Sequence, residues 1–215
     1  MTSARSEDDA VPTQYAFFVN SDACSGCKTC QVACKDKHDI PAGVHWRRVF
    51  EVTSGEWLNK DGAWTTTVAA YNLSTACHHC TSPVCGRQCS TEAIWKRSDG
   101  IVLIDESRCT RCRKCQADCP YGAIAWDASA NMVKKCHFCC DYLDAGLPPA
   151  CVAACPNRAL EFGEFEELKA RAGSVRQVFP MADPSLAGPA VVIRPHRNAA
   201  RVQSRAPQIA NWEEL

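Results

Sequence analysis

Apolar residues in this chain occur in short runs that end at turn residues or at cysteines. Tyr15–Asn20 is apolar and aromatic almost throughout, which predicts a short strand. Thr29–Lys37 predicts a helix and places two cysteines four residues apart, so that both lie on one helix face. The apolar stretches 93–95 and 101–104 flank an Asp-Gly turn at Asp99, and together they predict a β-hairpin.

The rest of the chain continues this pattern of short elements. Further strands are predicted at 48–53, 64–72, 123–126, 132–135 and 190–193, and further helices at 141–146 and 164–171. Gly55 and Gly62 mark turns within the β-rich part that precedes residue 72. The end of the chain is rich in Arg, Pro and Asn, so we expect it to lack a core of its own and to lie along a partner.

Cysteine content sets this chain apart from an ordinary globular domain. Of its 215 residues, 17 are cysteines. Its first residues contain no apolar stretch of the kind that a secretory signal needs, so we expect synthesis in a reducing cytoplasm. In that compartment clustered thiols indicate metal ligands rather than disulfides. The 24 basic and 24 acidic residues balance, which predicts no nucleic-acid partner. No apolar run approaches the ~18–20 residues of a membrane span, so no direct span is expected.

Sixteen of the cysteines fall into four quartets. The third quartet has the spacing Cys-x2-Cys-x2-Cys-x3-Cys followed by proline, which bacterial ferredoxins use to hold 4Fe–4S clusters. Such a cluster needs four soft thiolate ligands, one for each iron, so the chain is predicted to bind four 4Fe–4S clusters. The quartets are Cys24, Cys27, Cys30 and Cys34; Cys77, Cys80, Cys85 and Cys89; Cys109, Cys112, Cys115 and Cys119; and Cys136, Cys139, Cys151 and Cys155.

An internal repeat follows three of the quartets. Residues 89–94, 119–124 and 155–160 share a frame of cysteine, three variable residues, alanine and an aliphatic residue. Each copy resembles half of a two-cluster ferredoxin, so the predicted fold class is α+β, with two nested bacterial-ferredoxin-like (βαββαβ) modules. Short strands and helices with long cluster-binding loops would make up these modules. The predicted parts are an outer module of 14–40 with 133–170, an inserted module of 73–132, a β-rich insertion of 41–72, and an extended C-terminal tail of 171–215 that docks on a partner.

In two-cluster ferredoxins the fourth cysteine of one quartet ligates the cluster of the other. Nested pairing joins the first quartet with the fourth and the second with the third, whereas adjacent pairing joins first with second and third with fourth. We keep adjacent pairing as the alternative. Nested pairing predicts site 1 (Cys24, Cys27, Cys30 and Cys155), site 2 (Cys34, Cys136, Cys139 and Cys151), site 3 (Cys77, Cys80, Cys85 and Cys119) and site 4 (Cys89, Cys109, Cys112 and Cys115).

Structural zinc is the competing interpretation of these thiols, because Cys-x2-Cys pairs also bind zinc. Zinc ribbons separate two such pairs by a longer stretch, and only the fourth quartet taken alone fits that spacing. The consecutive Cys-x2-Cys steps of the first and third quartets are typical of clusters. The sequence carries no phosphate-binding loop, nucleophile elbow or paired carboxylates. We therefore predict a non-catalytic chain with no catalytic residues, which moves electrons and leaves substrate chemistry to another subunit.

The quartets and the segments around them resemble a known family. Over about residues 13–195 the chain is similar to the four-cluster iron–sulfur subunits of membrane-bound molybdopterin oxidoreductases, in particular to the B subunit of the dimethyl sulfoxide reductase type. The segments that carry the resemblance beyond the cysteines are Gln14-Tyr-Ala-Phe-Phe, Gly26-Cys-Lys-Thr-Cys, Ala33-Cys-Lys-Asp, Lys96-Arg-Ser-Asp-Gly, Cys119-Pro-Tyr-Gly-Ala and Arg158-Ala-Leu-Glu-Phe-Gly.

The resemblance implies an electron-transfer subunit of a reductase for S- or N-oxides in anaerobic respiration. It would relay electrons between a quinol-oxidising integral membrane anchor subunit and a molybdopterin-containing catalytic subunit. The first quartet's cluster is expected nearest the catalytic subunit and the second quartet's nearest the anchor. Relatives of the nitrate reductase branch have Trp in place of one third-quartet cysteine and hold a 3Fe–4S cluster there, so Cys112 favours a complete cluster.

Two questions stay open at the level of sequence. The alternative function is a polyferredoxin electron carrier that serves a cytoplasmic hydrogenase or a formate-linked enzyme. As a peripheral subunit of a membrane-bound complex, the chain would either stay inside the cell or be carried out folded with the catalytic subunit. The terminal substrate belongs to that catalytic partner.

Overall fold

The computed structural model describes residues 13–215, and the N-terminal stretch on which the prediction of no secretory signal rests lies outside them. Its strands are β1 (Tyr15–Asn20), β2 (Arg48–Ser54), β3 (Trp57–Lys60), β4 (Ala63–Thr66), β5 (Ala69–Thr75), β6 (Ile94–Lys96), β7 (Val102–Ile104), β8 (Ile124–Asp127), β9 (Met132–Lys135), β10 (Leu160–Glu164), β11 (Val191–Arg194) and β12 (Gln208–Ile209). Its α-helices are α1 (Thr29–Lys37), α2 (Val84–Arg87), α3 (Lys114–Ala117), α4 (Cys140–Asp144), α5 (Ala150–Ala153), α6 (Phe165–Lys169) and α7 (Ala199–Gln203). Mixed short helices and strands are confirmed. Between residues 13 and 215, none of the helices combines the length and the apolar character needed to span a bilayer.

Strand β1 is the centre of the main sheet. It pairs antiparallel with β10 and parallel with β11. Phe17 and Val19 face the principal core, whereas Ala16 and Phe18 face a smaller core that contains Phe165 of α6. Because both faces of β1 are covered, the strand is apolar at successive positions rather than at alternate ones, which explains the unbroken run seen in the sequence.

A second sheet has the strand order β12-β2-β5, and the hairpin β3-β4 extends from it. The sequence predicted one strand over 64–72, but the structure divides this stretch into β4 and β5. Thr67 interrupts it, because its N–H donates to the Glu56 carbonyl at 2.9 Å and its hydroxyl accepts from the Glu56 N–H at 3.0 Å. Gly62 has φ +85° and completes the tight β3-β4 turn.

Two further hairpins form, one of them predicted as a hairpin and the other from two predicted strands. Strand β6 pairs antiparallel with β7, and β8 pairs antiparallel with β9. Gly100, with φ +82°, provides the left-handed residue of the first turn. In the second turn, Asp127 accepts hydrogen bonds from the Ser129 and Ala130 N–H groups, both at 3.0 Å. These hairpins connect the loops of the second, third and fourth quartets.

The C-terminal segment packs on the chain itself and is not extended. Val192 and Val202 are each at most 1% exposed, on β11 and α7 respectively. Asn211 closes the edge of β2, since its side chain accepts from the Glu51 N–H and donates to the Val49 carbonyl, both at 2.9 Å. A few apolar residues within a polar composition are enough to dock this segment, because the main sheet supplies the surface they cover. Contact of the segment with a partner stays a prediction.

Candidate metal centres

Each quartet begins with a tight Cys-x2-Cys loop. The residue before its second cysteine lies in the left-handed region in all four quartets. These residues are Gly26, His79, Arg111 and Phe138, with φ of 75°, 43°, 61° and 63°. Three of them carry side chains, and such a conformation costs of order 1–3 kcal/mol each. The turn directs backbone N–H groups onto the first sulfur, as in Arg111 N to Cys109 Sγ at 3.4 Å and Phe138 N to Cys136 Sγ at 3.3 Å.

The repeated frame after the fourth cysteine also provides donors to sulfur. The Ala123 N–H donates to Cys119 Sγ at 3.4 Å, and the Ala159 N–H donates to Cys155 Sγ at 3.3 Å. Both alanines occupy the same position of the frame predicted from sequence. Hydrogen bonds of this kind favour a charged sulfur over a protonated one, so they suit cysteines that act as thiolate ligands.

The cysteines of site 1 line one cavity. They share it with Val49 and Ser74 of the second sheet, and the four are Cys24, Cys27, Cys30 and Cys155. Burial raises the pKa of Cys24, and the neighbouring thiolates of the site raise it further. Cys27 is the exposed member. The structure therefore brings three cysteines of the first quartet together with the last cysteine of the fourth.

Site 2 is the most enclosed of the four, since all of its cysteines are buried. Helix α1 packs against α5, which brings Cys34 to Cys151. Burial raises the pKa of Cys34 to about 12, and the charges of Cys151 and Cys139 add to this rise. The His38 ring nitrogen Nε2 lies 3.4 Å from Cys139 Sγ.

Site 3 combines the second quartet with one cysteine of the third. Burial raises the pKa of Cys80, and the charges of Cys77, Cys85 and Cys119 raise it further. Helix α2 packs against α3 at this point, which is the contact that nested pairing requires between these quartets.

Site 4 combines three cysteines of the third quartet with the last cysteine of the second. Its cysteines line one cavity between the α2 and α3 loops, and they are Cys89, Cys109, Cys112 and Cys115. Burial raises the pKa of Cys115 to about 11, with further contributions from Cys109 and Cys112. Cys112 is exposed. All four sets predicted by nested pairing are thus gathered in space.

The four sites follow one another in a row. Sites 1 and 2 are neighbours, since the thiolate of Cys151 raises the pKa of Cys30, in addition to the larger effect of burial. Sites 2 and 3 are neighbours through Cys136 and Cys77, and sites 3 and 4 through Cys85 and Cys115. The resemblance put the second quartet's cluster at the anchor end. In the structure site 3 is an inner position, and site 4, built mainly from the third quartet, occupies the end.

The donor sets fit 4Fe–4S clusters. Every site offers four free thiols, which are soft ligands, in apolar surroundings with backbone donors nearby. Burial raises the pKa of Cys34, Cys80 and Cys136, so these thiols hold protons that iron displaces on binding. Across residues 13–215, no three His, Cys, Asp or Glu side chains are arranged to hold a single metal ion. A cubane takes one thiolate at each of four irons, so its ligands stand further apart than those of one ion.

Comparison with known proteins identifies the family. Residues 68–165 match the family model of the 4Fe-4S dicluster domain. The chain is 41% identical over 203 residues to the probable anaerobic dimethyl sulfoxide reductase chain YnfG of Escherichia coli (strain K12), covering 94% of this chain and 99% of the relative. It is 40% identical, with the same coverage, to the B subunit of anaerobic dimethyl sulfoxide reductase of that strain. This chain belongs to the family of anaerobic dimethyl sulfoxide reductase B subunits.

A third relative bears on the role of the chain. It is the thiosulfate reductase electron transfer subunit PhsB of Salmonella typhi, 34% identical over 155 residues, which are 72% of this chain and 78% of the relative. This chain is therefore an iron–sulfur electron-transfer subunit of an oxidoreductase complex, and it is not the catalytic subunit. Its cofactors are 4Fe–4S clusters, so this prediction is confirmed and the zinc interpretation is wrong.

Sequence reasoning missed two polar residues between the sites. Arg47 is buried at 2% exposure, and its Nη1 donates to Ser74 Oγ at 3.1 Å. Neither residue belongs to a motif, and both lie just outside the strands predicted at 48–53 and 64–72. The one cysteine outside the four sets, Cys140, is half-buried, with its Sγ 3.6 Å from His137 Nδ1.

Proposed function

We propose that this chain relays electrons between a quinol-oxidising membrane anchor subunit and a molybdopterin catalytic subunit. The observation that carries the proposal is the row of four cysteine sets, with exposed Cys27 at one end and exposed Cys112 at the other. When bound, the four clusters supply one-electron oxidation and reduction at sites 1 to 4. The named relatives belong to dimethyl sulfoxide and thiosulfate reductases, so the class of terminal substrate that we infer is a sulfur or nitrogen oxide.

The proposal includes two nested ferredoxin-like modules. Antiparallel pairing of β1 with β10 supports the outer one, because these strands begin and end a split module, as the nested arrangement requires. Packing of α1 on α5 and of α2 on α3 supports the pairing of first with fourth and second with third quartets. In this arrangement each site takes its cysteines from two quartets, so neither half of a module can form its sites alone.

The chain's own residues define what each site can do. The cysteines of sites 2 and 3 are buried or half-buried, and at site 2 the fully buried Phe138 lies between Cys136 and Cys139, where it excludes water. At sites 1 and 4 one cysteine each reaches the surface, which suits exchange of electrons with a partner. Site 1 is assigned to the catalytic subunit and site 4 to the anchor, with the exposed cationic group of Arg108, Arg111, Arg113 and Lys114 around site 4. The chain is peripheral in this complex.

A serine series tests the ligand sets directly. Cys155→Ser and Cys24→Ser are expected to remove or convert the same cluster, because serine oxygen is a harder and poorer ligand for iron than a thiolate. Cys109→Ser is expected to alter a different cluster. The measurement is electron paramagnetic resonance (EPR) of the reduced holo-protein at low temperature, with iron counted per chain.

The adjacent alternative makes an opposite prediction for the same samples. It assigns Cys155 to the cluster of Cys109, so Cys155→Ser and Cys109→Ser would then change one signal together. That result would rule out nested pairing. Cys140→Ser is the matched control, since Cys140 lies outside all four sets, and it is expected to leave every signal in place.

A further inference from the structure

A buried arginine lies between sites 1 and 2. The guanidinium carbon Cζ of Arg47 lies over the Phe17 ring, 4.5 Å from the ring centroid. Burial alone would lower the pKa of Arg47, but nearby thiolates outweigh burial, and the net shift is upward. The cysteines that act on it are Cys151, Cys30, Cys136 and Cys34. Since Cys30 belongs to site 1 and the other three to site 2, one cation faces both sites.

The hydrogen bonding of Arg47 is incomplete in the protein. Nη1 donates to Ser74 Oγ, whereas Nη2 is buried and has no hydrogen-bond partner within the described chain. A buried guanidinium donor without an acceptor is costly, and a buried cation without an anion more so. Within the described chain Arg47 has no hydrogen bond to a carboxylate, and the anionic sulfur near it comes from sites 1 and 2.

We propose that Arg47 is the shared counter-cation of the clusters at sites 1 and 2 and raises the reduction potential of both. Reduction adds negative charge to a cluster, and a fixed positive charge in a low-dielectric interior stabilises that reduced form. Because Arg47 acts on the two sites together, it raises both potentials and leaves the difference between them nearly unchanged. This inference rests on the proposed ligand sets.

Ser74 connects Arg47 to site 1 only. Its hydroxyl oxygen lies 3.1 Å from Arg47 Nη1 and 3.3 Å from Cys30 Sγ, and the residue is 1% exposed. Because Arg47 donates to this oxygen, the hydroxyl proton is free to donate to the Cys30 sulfur. Ser74→Ala is therefore expected to lower the potential of site 1 and to leave that of site 2 where it is.

The neighbouring arginine provides a matched control. Arg48 follows Arg47 at the start of β2, and its Nη2 donates to the Tyr121 carbonyl at 3.2 Å. Burial lowers the pKa of Arg48, and the cysteine that opposes this is Cys119 of site 3. Two consecutive arginines thus face different sites, so Arg48→Met removes the same charge from a different place.

The test is an EPR-monitored redox titration of the holo-protein, with iron counted on the same samples. Arg47→Met is expected to lower the equilibrium constant for reduction at sites 1 and 2 about tenfold each, which is about 59 mV for one electron. Sites 3 and 4 are expected to keep their potentials. Arg47→Lys retains the cation and is expected to keep sites 1 and 2 closer to the parent than Arg47→Met does. Arg48→Met is expected to leave sites 1 and 2 unchanged.

Two results of the redox titration overturn the inference. One is an iron-replete Arg47→Met protein with unshifted potentials at both sites, and the other is a fall in Arg47→Lys as large as in Arg47→Met. If the Arg47 variants lose iron, the inference is tested on the parent protein instead. With 15N in its arginine guanidinium groups, pulsed EPR of the reduced clusters at sites 1 and 2 is expected to show a 15N coupling that Ser74→Ala retains at site 2.

Absence of that coupling overturns the role of Arg47 without touching the proposed function. Failure of the proposed function has a different signature, because Cys24→Ser and Cys155→Ser would then alter different clusters. The two failures are therefore distinguishable on separate samples.

Discussion

Substitution of Cys112 by serine is expected to interrupt electron flow from quinol to the catalytic subunit in the assembled complex. Cys112 is the exposed cysteine of site 4, at the end of the row assigned to the anchor. Serine is a poor ligand for iron in such a cluster, so roughly one to four of about 16 iron atoms per chain should be lost. Substrate reduction with a dye that feeds the catalytic subunit directly is expected to continue, since that path does not use this chain.

The measurement compares quinol-dependent and dye-dependent rates on the same purified complex. Cys140→Ser is the control, because it exchanges the same atoms at the cysteine that belongs to no site, and both rates should match the parent. Loss of both rates in an assembled Cys112→Ser complex would contradict the relay. A parent-like quinol rate together with a lost cluster would contradict the position of site 4 in the path.

Removal of iron is expected to unfold most of this chain. Helices α2, α3 and α5 have only four residues each, far below the length at which a helix is stable alone, and each carries a site cysteine. A single structural zinc contributes about 10–16 kcal/mol in small peptides, and a whole domain is stable by only about 5–15 kcal/mol. Loss of four clusters should therefore abolish the cooperative unfolding transition.

Near-ultraviolet circular dichroism and a thermal melt measure this effect after anaerobic treatment with a chelator and a reductant. Protein treated in the same way without chelator is the control, and addition of iron and sulfide should restore the parent spectrum. An iron-free chain that melts cooperatively at the parent temperature would show that the apolar core holds the fold without the clusters.

The pattern of apolar and turn residues predicted those strands, helices and hairpins that depend on neighbouring residues in the chain. The bounds of β1 and α1 follow from the apolar run and the cysteine spacing, and the β6-β7 hairpin follows from its Asp-Gly turn. Strand β3 was missed because it has only four residues, two of them polar, and its pairing depends on the turn at Gly62. The docking of β11 beside β1 was missed for a different reason: a parallel pairing between distant segments leaves no local trace.

The cysteine sites, too, were predictable from the sequence only in part. Spacing was enough to group sixteen thiols into quartets, and the ferredoxin rule was enough to write two possible pairings. The choice between them depends on helix contacts such as α1 with α5, which are not encoded in the spacing. Arg47 and Ser74 meet Cys30 only in the folded chain, so no motif could have indicated them.

The proposed relay requires that four cysteine sets hold four 4Fe–4S clusters. Its most direct test is the content of iron and acid-labile sulfide per chain in protein purified without oxygen. We expect about 16 of each, four for every site. A preparation of folded protein that contains zinc and no labile sulfide would contradict it.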